Sequence, residues 1–381
     1  MEDGLNYLSS DWGNIEEIVL YGFGLYGPAR IVLKDILRDF KVKAIIDNDP
    51  EKIGSVVEGI PIISLECAYE LLKKYKVVVS TYTNAYMVIS SVLQEKGLKE
   101  YRDYCSLERF LVEWNYRFRN KVHLLELHTS VTTRCTLKCK NCNMFMPYHK
   151  TTVDYSFEQI KKEIDLLFSY VDYIHIYEWV GGEPFLNEEL VDILKYICEN
   201  YGGRIGRLGL ITNGTVLPRN KEIWEILRKN KIWLSISDYS HRVEYGLRLK
   251  TFIDTLEEND IKYAKMDLSK WKDYGFPVTP RNYVNTRSHM LSCNPMFQGY
   301  NDFKLYYCHV SWAAEKGGLY SLQESDYLDL LNVSCDKEIM RRDILRYSLA
   351  EMEEKTLSLC RYCGGCSSEN KVYVDAAIQK E

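Results

Sequence analysis

Cys135-Thr-Leu-Lys-Cys139-Lys-Asn-Cys142 is the stretch that decides how this chain reads. Three thiols spaced C-x3-C-x2-C fit on one tight loop and can hold three corners of an iron–sulfur cubane. A cluster ligated wholly by protein takes four cysteines, so this loop leaves one iron open to a small molecule. A structural zinc loop is the alternative, but zinc knuckles come as paired C-x2-C or as C-x2-C with H-x3-H, and the x3 spacing departs from both. The segment just before it, Leu124-Leu-Glu-Leu-His-Thr-Ser-Val-Thr132, reads as a strand. The carboxyl end of a first strand is where barrel enzymes keep their chemistry.

Beyond the loop, Ser156 and Gln159 predict a capping box for a helix whose apolar face is Phe157, Ile160, Ile164, Leu167, Phe168 and Val171. A strand, Tyr173-Ile-His-Ile-Tyr-Glu-Trp179, runs into Gly181-Gly-Glu-Pro184. Asn187 is expected to cap the next helix, whose apolar side includes Leu190, Ile193, Leu194, Ile197 and Cys198 and so makes Cys198 a packing residue. Strand ends near 132, 179, 212, 237 and 266 mark βα units of the usual size, about 30 residues each. Each end carries polar or glycine residues, among them Asn213, Gly214 and Ser237, that would converge on one barrel mouth.

Upstream, Ile18-Val-Leu-Tyr21 reads as a strand followed at once by Gly22-Phe-Gly24-Leu-Tyr-Gly27 and a helical repeat of Ala29, Val32, Leu33 and Ile36. A second strand ends at Asp47, 20 positions after Gly27. Strand, G-x-G-x-x-G, helix, strand and acid form the dinucleotide or nucleotide fingerprint. The glycines let the backbone approach a pyrophosphate, and the helix N-terminus offers it N–H groups. A scaffold without ligand is the alternative. The segment 47–63 resembles the small Rossmann-like domains that begin bacterial sugar acyltransferases, and that resemblance implies a nucleotide-sugar ligand held by Gly22, Gly24, Gly27 and Asp47. Residues 114–119 are the expected linker.

The chain has 381 residues, enough for two or three domains. Its net charge of −5, with Lys and Arg scattered, argues against nucleic acid as a partner. No apolar run approaches the roughly 18 residues of a membrane span, and the acidic, polar N-terminus does not read as a signal peptide. Twelve cysteines without an export signal point to a reducing, cytoplasmic setting. The thirty tyrosines are spread along the chain and carry no functional reading.

C-x3-C-x2-C after a first strand and GGEP after a second together resemble the radical S-adenosylmethionine (SAM) superfamily over about 120–290. That resemblance implies a partial (β/α)6 TIM-like barrel in an α/β fold. It implies that Cys135, Cys139 and Cys142 ligate a [4Fe–4S] cluster whose fourth iron is chelated by SAM. Gly181, Gly182 and Glu183 would then present backbone oxygens to the methionyl amine, with Pro184 setting the turn and no side chain at the glycines to block approach. Asn213, Ser235 and Ser237 would contact ribose and carboxylate. Many relatives carry an aromatic residue before the third cysteine; here it is Asn141. The likeness also implies an external one-electron donor such as flavodoxin or ferredoxin.

The tail holds Cys293, Cys308, Cys360, Cys363 and Cys366. Four of these five could close around one fully ligated cluster; Cys293, Cys308, Cys360 and Cys363 are favoured, with Cys366 the alternate. The set resembles the twitch extension of the superfamily, which carries one auxiliary [4Fe–4S] cluster. Structural zinc stays open here, since four thiolates suit it too. His309, beside Cys308, is expected to act behind the ligands or on the surface. Cys335 is a candidate hydrogen-atom donor, as in radical epimerases of the superfamily. The expected domains are thus 1–115, a Rossmann-like parallel-sheet nucleotide or nucleotide-sugar unit; 116–290, the barrel; and 291–381, the auxiliary Fe–S extension.

The architecture is similar to that of 2-deoxy-scyllo-inosamine dehydrogenases. The likeness implies hydrogen abstraction from a carbohydrate, either a nucleotide-sugar or an aminocyclitol, ending in oxidation of a secondary alcohol, epimerisation or dehydration. A maturase of a ribosomal peptide is the second reading, although such enzymes usually begin with a peptide-recognition segment where this chain has G-x-G-x-x-G. A non-enzymatic sugar-nucleotide sensor is the third.

Overall fold

The computed structural model describes residues 8–24, 28–81, 83–276, 279–293, 297–331, 336–351, 356–367 and 369–381. Gly27 and Cys335, both singled out from the sequence, lie outside these residues. The chain divides into two compact units, Met1–Leu125 and Glu126–Glu381.

The first unit is built on β1 (Glu17–Tyr21), α1 (Pro28–Asp39), β2 (Lys41–Ile46), β3 (Val56–Val57), β4 (Ile60–Ile63), α2 (Tyr69–Lys74), β5 (Lys76–Val79), α3 (Thr83–Glu95), β6 (Tyr104–Ser106) and α4 (Leu107–Arg119). Its sheet runs β3-β4-β2-β1-β5-β6. All pairs from β4 to β6 are parallel, and only the short β3 is antiparallel. The parallel strands therefore follow the order 3-2-1-4-5, with the sheet order reversing between β1 and β5, the place where open α/β sheets bind ligands. Both faces of β1 are buried, as a parallel strand covered on two sides requires.

Residues 114–119, expected as a linker, are instead the C-terminal half of α4. The apolar spacing explains this. Phe110, Leu111 and Trp114 are buried, and Trp114 packs edge-on against Phe40 at 4.8 Å while donating to the Trp12 carbonyl. The helix is capped by Ser106 Oγ, which accepts from Arg109 N–H, and ends at Asn120 in the left-handed region. The compact unit accordingly continues to Leu125 rather than stopping at 115.

The second unit takes in most of β7 (His123–Ser130), then α5 (Phe157–Tyr170), β8 (Tyr173–Val180), α6 (Leu190–Tyr201), β9 (Ile205–Thr212), α7 (Glu222–Lys229), β10 (Trp233–Asp238), α8 (Gly246–Glu258) and β11 (Tyr263–Asp267). Then come β12 (Lys270–Lys272), α9 (Thr286–Ser292), β13 (Gly299–Asn301), β14 (Lys304–Tyr306), α10 (His309–Lys316), β15 (Leu328–Asp329), α11 (Lys337–Ser348) and β16 (Tyr373–Asp375). The main sheet runs β11-β10-β9-β8-β7-β13-β14-β15. From β7 to β11, neighbours in space are neighbours in sequence with a helix between each pair. Such singly wound βα runs bring every strand's carboxyl end to one side. On the far side of β7 the sheet continues: β13 pairs with it in parallel through Gly299 and His128. The tail is therefore joined to the βα run through one sheet.

Two local expectations are corrected. Ser156 caps α5 by accepting from Gln159 N–H, but the Gln159 side chain turns to Glu163 at 3.0 Å, so only half of the capping box forms. Asn187 does not cap α6 directly, since Glu189 precedes that helix. Instead its amide donates to the carbonyls of Val131 and Tyr155, tying the end of β8 to the end of β7. No helix among the described residues is long and apolar enough to cross a membrane.

Candidate functional site

Cys135, Cys139 and Cys142 follow β7 and pack into one small cluster with Leu137 and Ala377, walled by Tyr239, Val243 and Trp271. Burial pushes the Cys135 thiol up to about 12 and Cys139 to about 11. A thiol so placed stays protonated until a metal takes the proton's position. N–H donors already face the sulfurs. Leu137 N–H points at Cys135 Sγ, 3.5 Å away; the Asn213 amide does the same at 3.6 Å; the Gln379 amide faces Cys139 Sγ at 3.6 Å. Such donors stabilise sulfur-borne negative charge. Three clustered cysteines, with amide donors facing the sulfurs of Cys135 and Cys139, fit an iron–sulfur group held by three thiolates. Among the described residues no His, Cys, Asp and Glu group gathers around a single-ion site; a cubane meets its cysteines at separate corners.

The Gly181–Pro184 turn is joined to the cysteine loop by backbone. Val131 N–H donates to Val180 O, Gly182 N–H to Thr132 O at 2.9 Å and Glu183 N–H to Arg134 O at 2.7 Å. A Cβ on Gly182 would lie 1.9 Å from Arg134 O, and one on Gly181 2.4 Å from Thr132 O. Both positions need glycine, then, because the neighbouring chain passes there, a reason the sequence reading did not give. Glu183 is fully buried, and its carboxylate accepts from Thr212 Oγ1, Asn213 N–H and Phe185 N–H. Its side chain is a strut between β8 and β9. Burial pushes its carboxyl up to about 7, against those three donors.

Asn213 lies against the cysteine loop, its amide also donating to Thr136 Oγ1 at 3.2 Å. Ser237, buried, and Ser235, half-buried, sit on β10. One component went unseen in the sequence. The end of the chain closes over the loop: Lys140 N–H donates to Ile378 O, Lys380 N–H to Lys138 O, and Lys138 N–H to Gln379 Oε1 at 2.7 Å. Nothing in the local pattern of 376–381 announces this; the contact spans the length of the unit.

The five tail cysteines, 293, 308, 360, 363 and 366, all line one apolar cavity, with His289 and Phe297 among its other walls. They arrive from the end of α9, the start of α10 and the loop around 360–366. Cys366 N–H donates to Cys293 Sγ at 3.3 Å and Gly365 N–H to Cys363 Sγ at 3.3 Å. The Cys366 thiol, donating to Cys293, holds that thiol low and is itself pushed up; burial raises Cys308, Cys360 and Cys363. This donor set fits a second iron–sulfur group, with one thiol more than four corners need. Of the two places expected for His309, the surface is ruled out: the residue is buried and bonded to Asn301 at 3.0 Å. The imidazole at the cavity is His289, whose Nε2 meets Cys363 O at 3.0 Å.

In the first unit Gly22 (φ +98°) follows β1, and a Cβ there would meet Thr81 at 2.3 Å. Asp47 is close by, but its carboxylate is engaged internally. It accepts from Phe23 N–H at 3.0 Å and Asp49 N–H at 2.9 Å and pairs with Lys52 at 3.4 Å. Asp47 thus binds the glycine loop itself.

Residues 129–259 match the Radical SAM superfamily. The match takes in the cysteine loop, Gly181 to Pro184, Asn213, Ser235 and Ser237. No curated protein matches the chain. Among solved structures, anSMEcpe with bound AdoMet and Cp18Cys peptide is 13% identical, over 64% of this chain and 88% of that one, with a TM-score of 0.40. BtrN in complex with AdoMet and 2-DOIA is 16% identical, over 63% and 93%, with a TM-score of 0.37. Streptococcus suis SuiB bound to S-adenosylmethionine is 14% identical, over 75% and 79%, with a TM-score of 0.31.

Proposed function

We propose that this chain is a radical SAM enzyme with two [4Fe–4S] clusters, acting on a carbohydrate, either a nucleotide-sugar or an aminocyclitol. The observation that carries the reading is the loop of three clustered thiols laddered to the Gly181–Pro184 turn and faced by the amides of Asn213 and Gln379. When bound, the cluster and SAM supply a 5′-deoxyadenosyl radical able to remove hydrogen from an unactivated C–H. Cys135, Cys139 and Cys142 hold three irons. Asn213 and Gln379 donate to the sulfurs, and the walls from Tyr239, Val243 and Trp271 exclude water. The βα run is the partial barrel of such enzymes, and the tail is its twitch-like extension, with four of the five cavity cysteines as ligands.

For the first unit the proposal is a Rossmann-like domain whose ligand, a nucleotide or nucleotide-sugar, lies at the reversal between β1 and β5. The internal bonds of Asp47 argue against its acting as the ribose ligand. A cytoplasmic setting with a flavodoxin or ferredoxin donor completes the reading.

The test is 5′-deoxyadenosine formation by anaerobically reconstituted protein across a panel of nucleotide-sugars, aminocyclitols and peptides. The expected result is cleavage of SAM stimulated by a member of the sugar or cyclitol set. Stimulation by peptides alone overturns the substrate class, and no cleavage at all overturns the enzyme.

A further inference from the structure

The strands of the βα run present two different faces. On one, Thr129 Oγ1 meets Tyr177 Oη at 2.8 Å and also donates to Tyr300 O, while Tyr300 Oη donates to Glu163 O of α5 at 2.8 Å. That face is covered by helix. Side chains alternate along a strand, so His128 and Glu178 lie on the opposite face, and this face is charged. His128 Nε2 meets Glu126 Oε1 at 2.8 Å, and Arg207 donates to Glu178 Oε1 at 2.5 Å. Gly209 sits directly beside Glu178 in register, and a Cβ there would lie 2.2 Å from Glu178 Oε2. On the other side of Gly209, also in register, is Trp233, half-buried.

Glu178 is only 3% exposed, yet its Oε2 has no hydrogen-bond partner. A buried carboxylate oxygen left unmatched is costly, and the missing side chain at Gly209 is what makes room for it. A carboxylate with a free acceptor, a guanidinium and an indole on one strand face are the groups that bind a polyhydroxylated ring: hydrogen bonds for its donors and an aromatic plane for its C–H face. Ser235 follows two residues beyond Trp233 on the same face, toward the strand's carboxyl end. His128 touches Phe297, with ring centroids 5.9 Å apart, and Phe297 lines the five-cysteine cavity. Through Phe297, then, the array adjoins the wall of the five-cysteine cavity.

We propose that Glu126, His128, Glu178, Arg207 and Trp233 form the substrate pocket of this chain, with Glu178 Oε2 accepting from a hydroxyl or ammonium of a sugar or cyclitol ring stacked on Trp233. The proposal rests on the radical-enzyme reading above and names the residues that select its substrate. The role of the Glu178–Arg207 pair is to hold one carboxylate oxygen and so aim the other.

The test is saturation-transfer NMR on the reconstituted full chain with glucose and glucosamine as probes, which separates a hydroxyl donor from an ammonium. Transfer to ring protons of at least one probe is expected, weakened about tenfold or more in Glu178→Gln and in Trp233→Ala. Near-UV circular dichroism and iron content report whether each variant is folded, and Trp233→Ala, at a half-buried position, decides the matter if Glu178→Gln does not fold. No transfer to either probe, or undiminished transfer in a folded variant, overturns the pocket. Wild-type SAM cleavage without sugar binding sinks the pocket alone, whereas sugar binding without cleavage sinks the radical reading and leaves the pocket.

Discussion

The two cysteine sites of the second unit are built in opposite ways. The first takes its three thiols from a single loop, residues 135–142, and tertiary structure only covers it, through the Gly181–Pro184 turn and the strap at 377–380. The second gathers its thiols from three places between 293 and 366 into one cavity, so the site does not exist until the tail has folded. A locally encoded site has its spacing fixed by the loop, and its variants should affect chemistry more than folding. An assembled site closes large chain loops, so its ligands should affect folding as well.

The sharpest way to break this contrast is by cysteine replacement. Cys139→Ala should abolish SAM cleavage and lower iron from about eight to about four per chain, with a melting temperature near that of the wild type. Cys363→Ala should lose a similar amount of iron but melt markedly lower. Cys366→Ala should keep iron near eight if the fifth thiol is spare. Iron of about four in Cys366→Ala together with full loading in Cys363→Ala would reassign the ligands.

The glycines sharpen the comparison at smaller cost. Gly182→Ala forces a Cβ to 1.9 Å from the backbone oxygen of Arg134, which the hydrogen-bonded cysteine loop cannot relieve. A loss of several kcal/mol and failure to load the first cluster are expected. At the second site Gly365 (φ +73°) meets side chains, His289 at 2.8 Å and Cys293 at 2.9 Å. Gly365→Ala should therefore cost only about 1–2 kcal/mol. Denaturant unfolding of the two variants measures the difference, and equal losses would erase it.

The smallest effect on iron loading is expected away from both sites and acts as a control. Burial raises Glu163 of α5 to about 8. A carboxyl raised on folding binds its proton more tightly in the native state, so stability should fall as pH rises from about 4.5 to about 8. Glu163→Gln should flatten that slope by an amount on the order of 3 kcal/mol, read from unfolding curves at pH 5 and pH 8, with iron content unchanged.

The alternation of strands and helices was legible because apolar periodicity is a local property, and β1, β2 and β7 to β11 fall where it places them. The short β3 and β6 and the buried α4 were not, since brief strands and an aromatic-rich helix carry little periodic signal against tertiary packing. Each cysteine group was visible as a group. The order of the sheets, the strap from 377–380 and the identity of His289 as the cavity imidazole were not.

By itself, then, the sequence determined which residues are chemically capable: three thiols at fixed spacing, five more in the tail, and a glycine-rich turn after the second strand. Only the tertiary structure decided why Gly181 and Gly182 must be glycine, that Asp47 is spent on its own loop, and that Glu178 is buried with an oxygen to spare. The reason is physical. Spacing along a chain fixes what a loop can reach, whereas burial, steric clearance and the pairing of polar atoms depend on segments that meet only after folding.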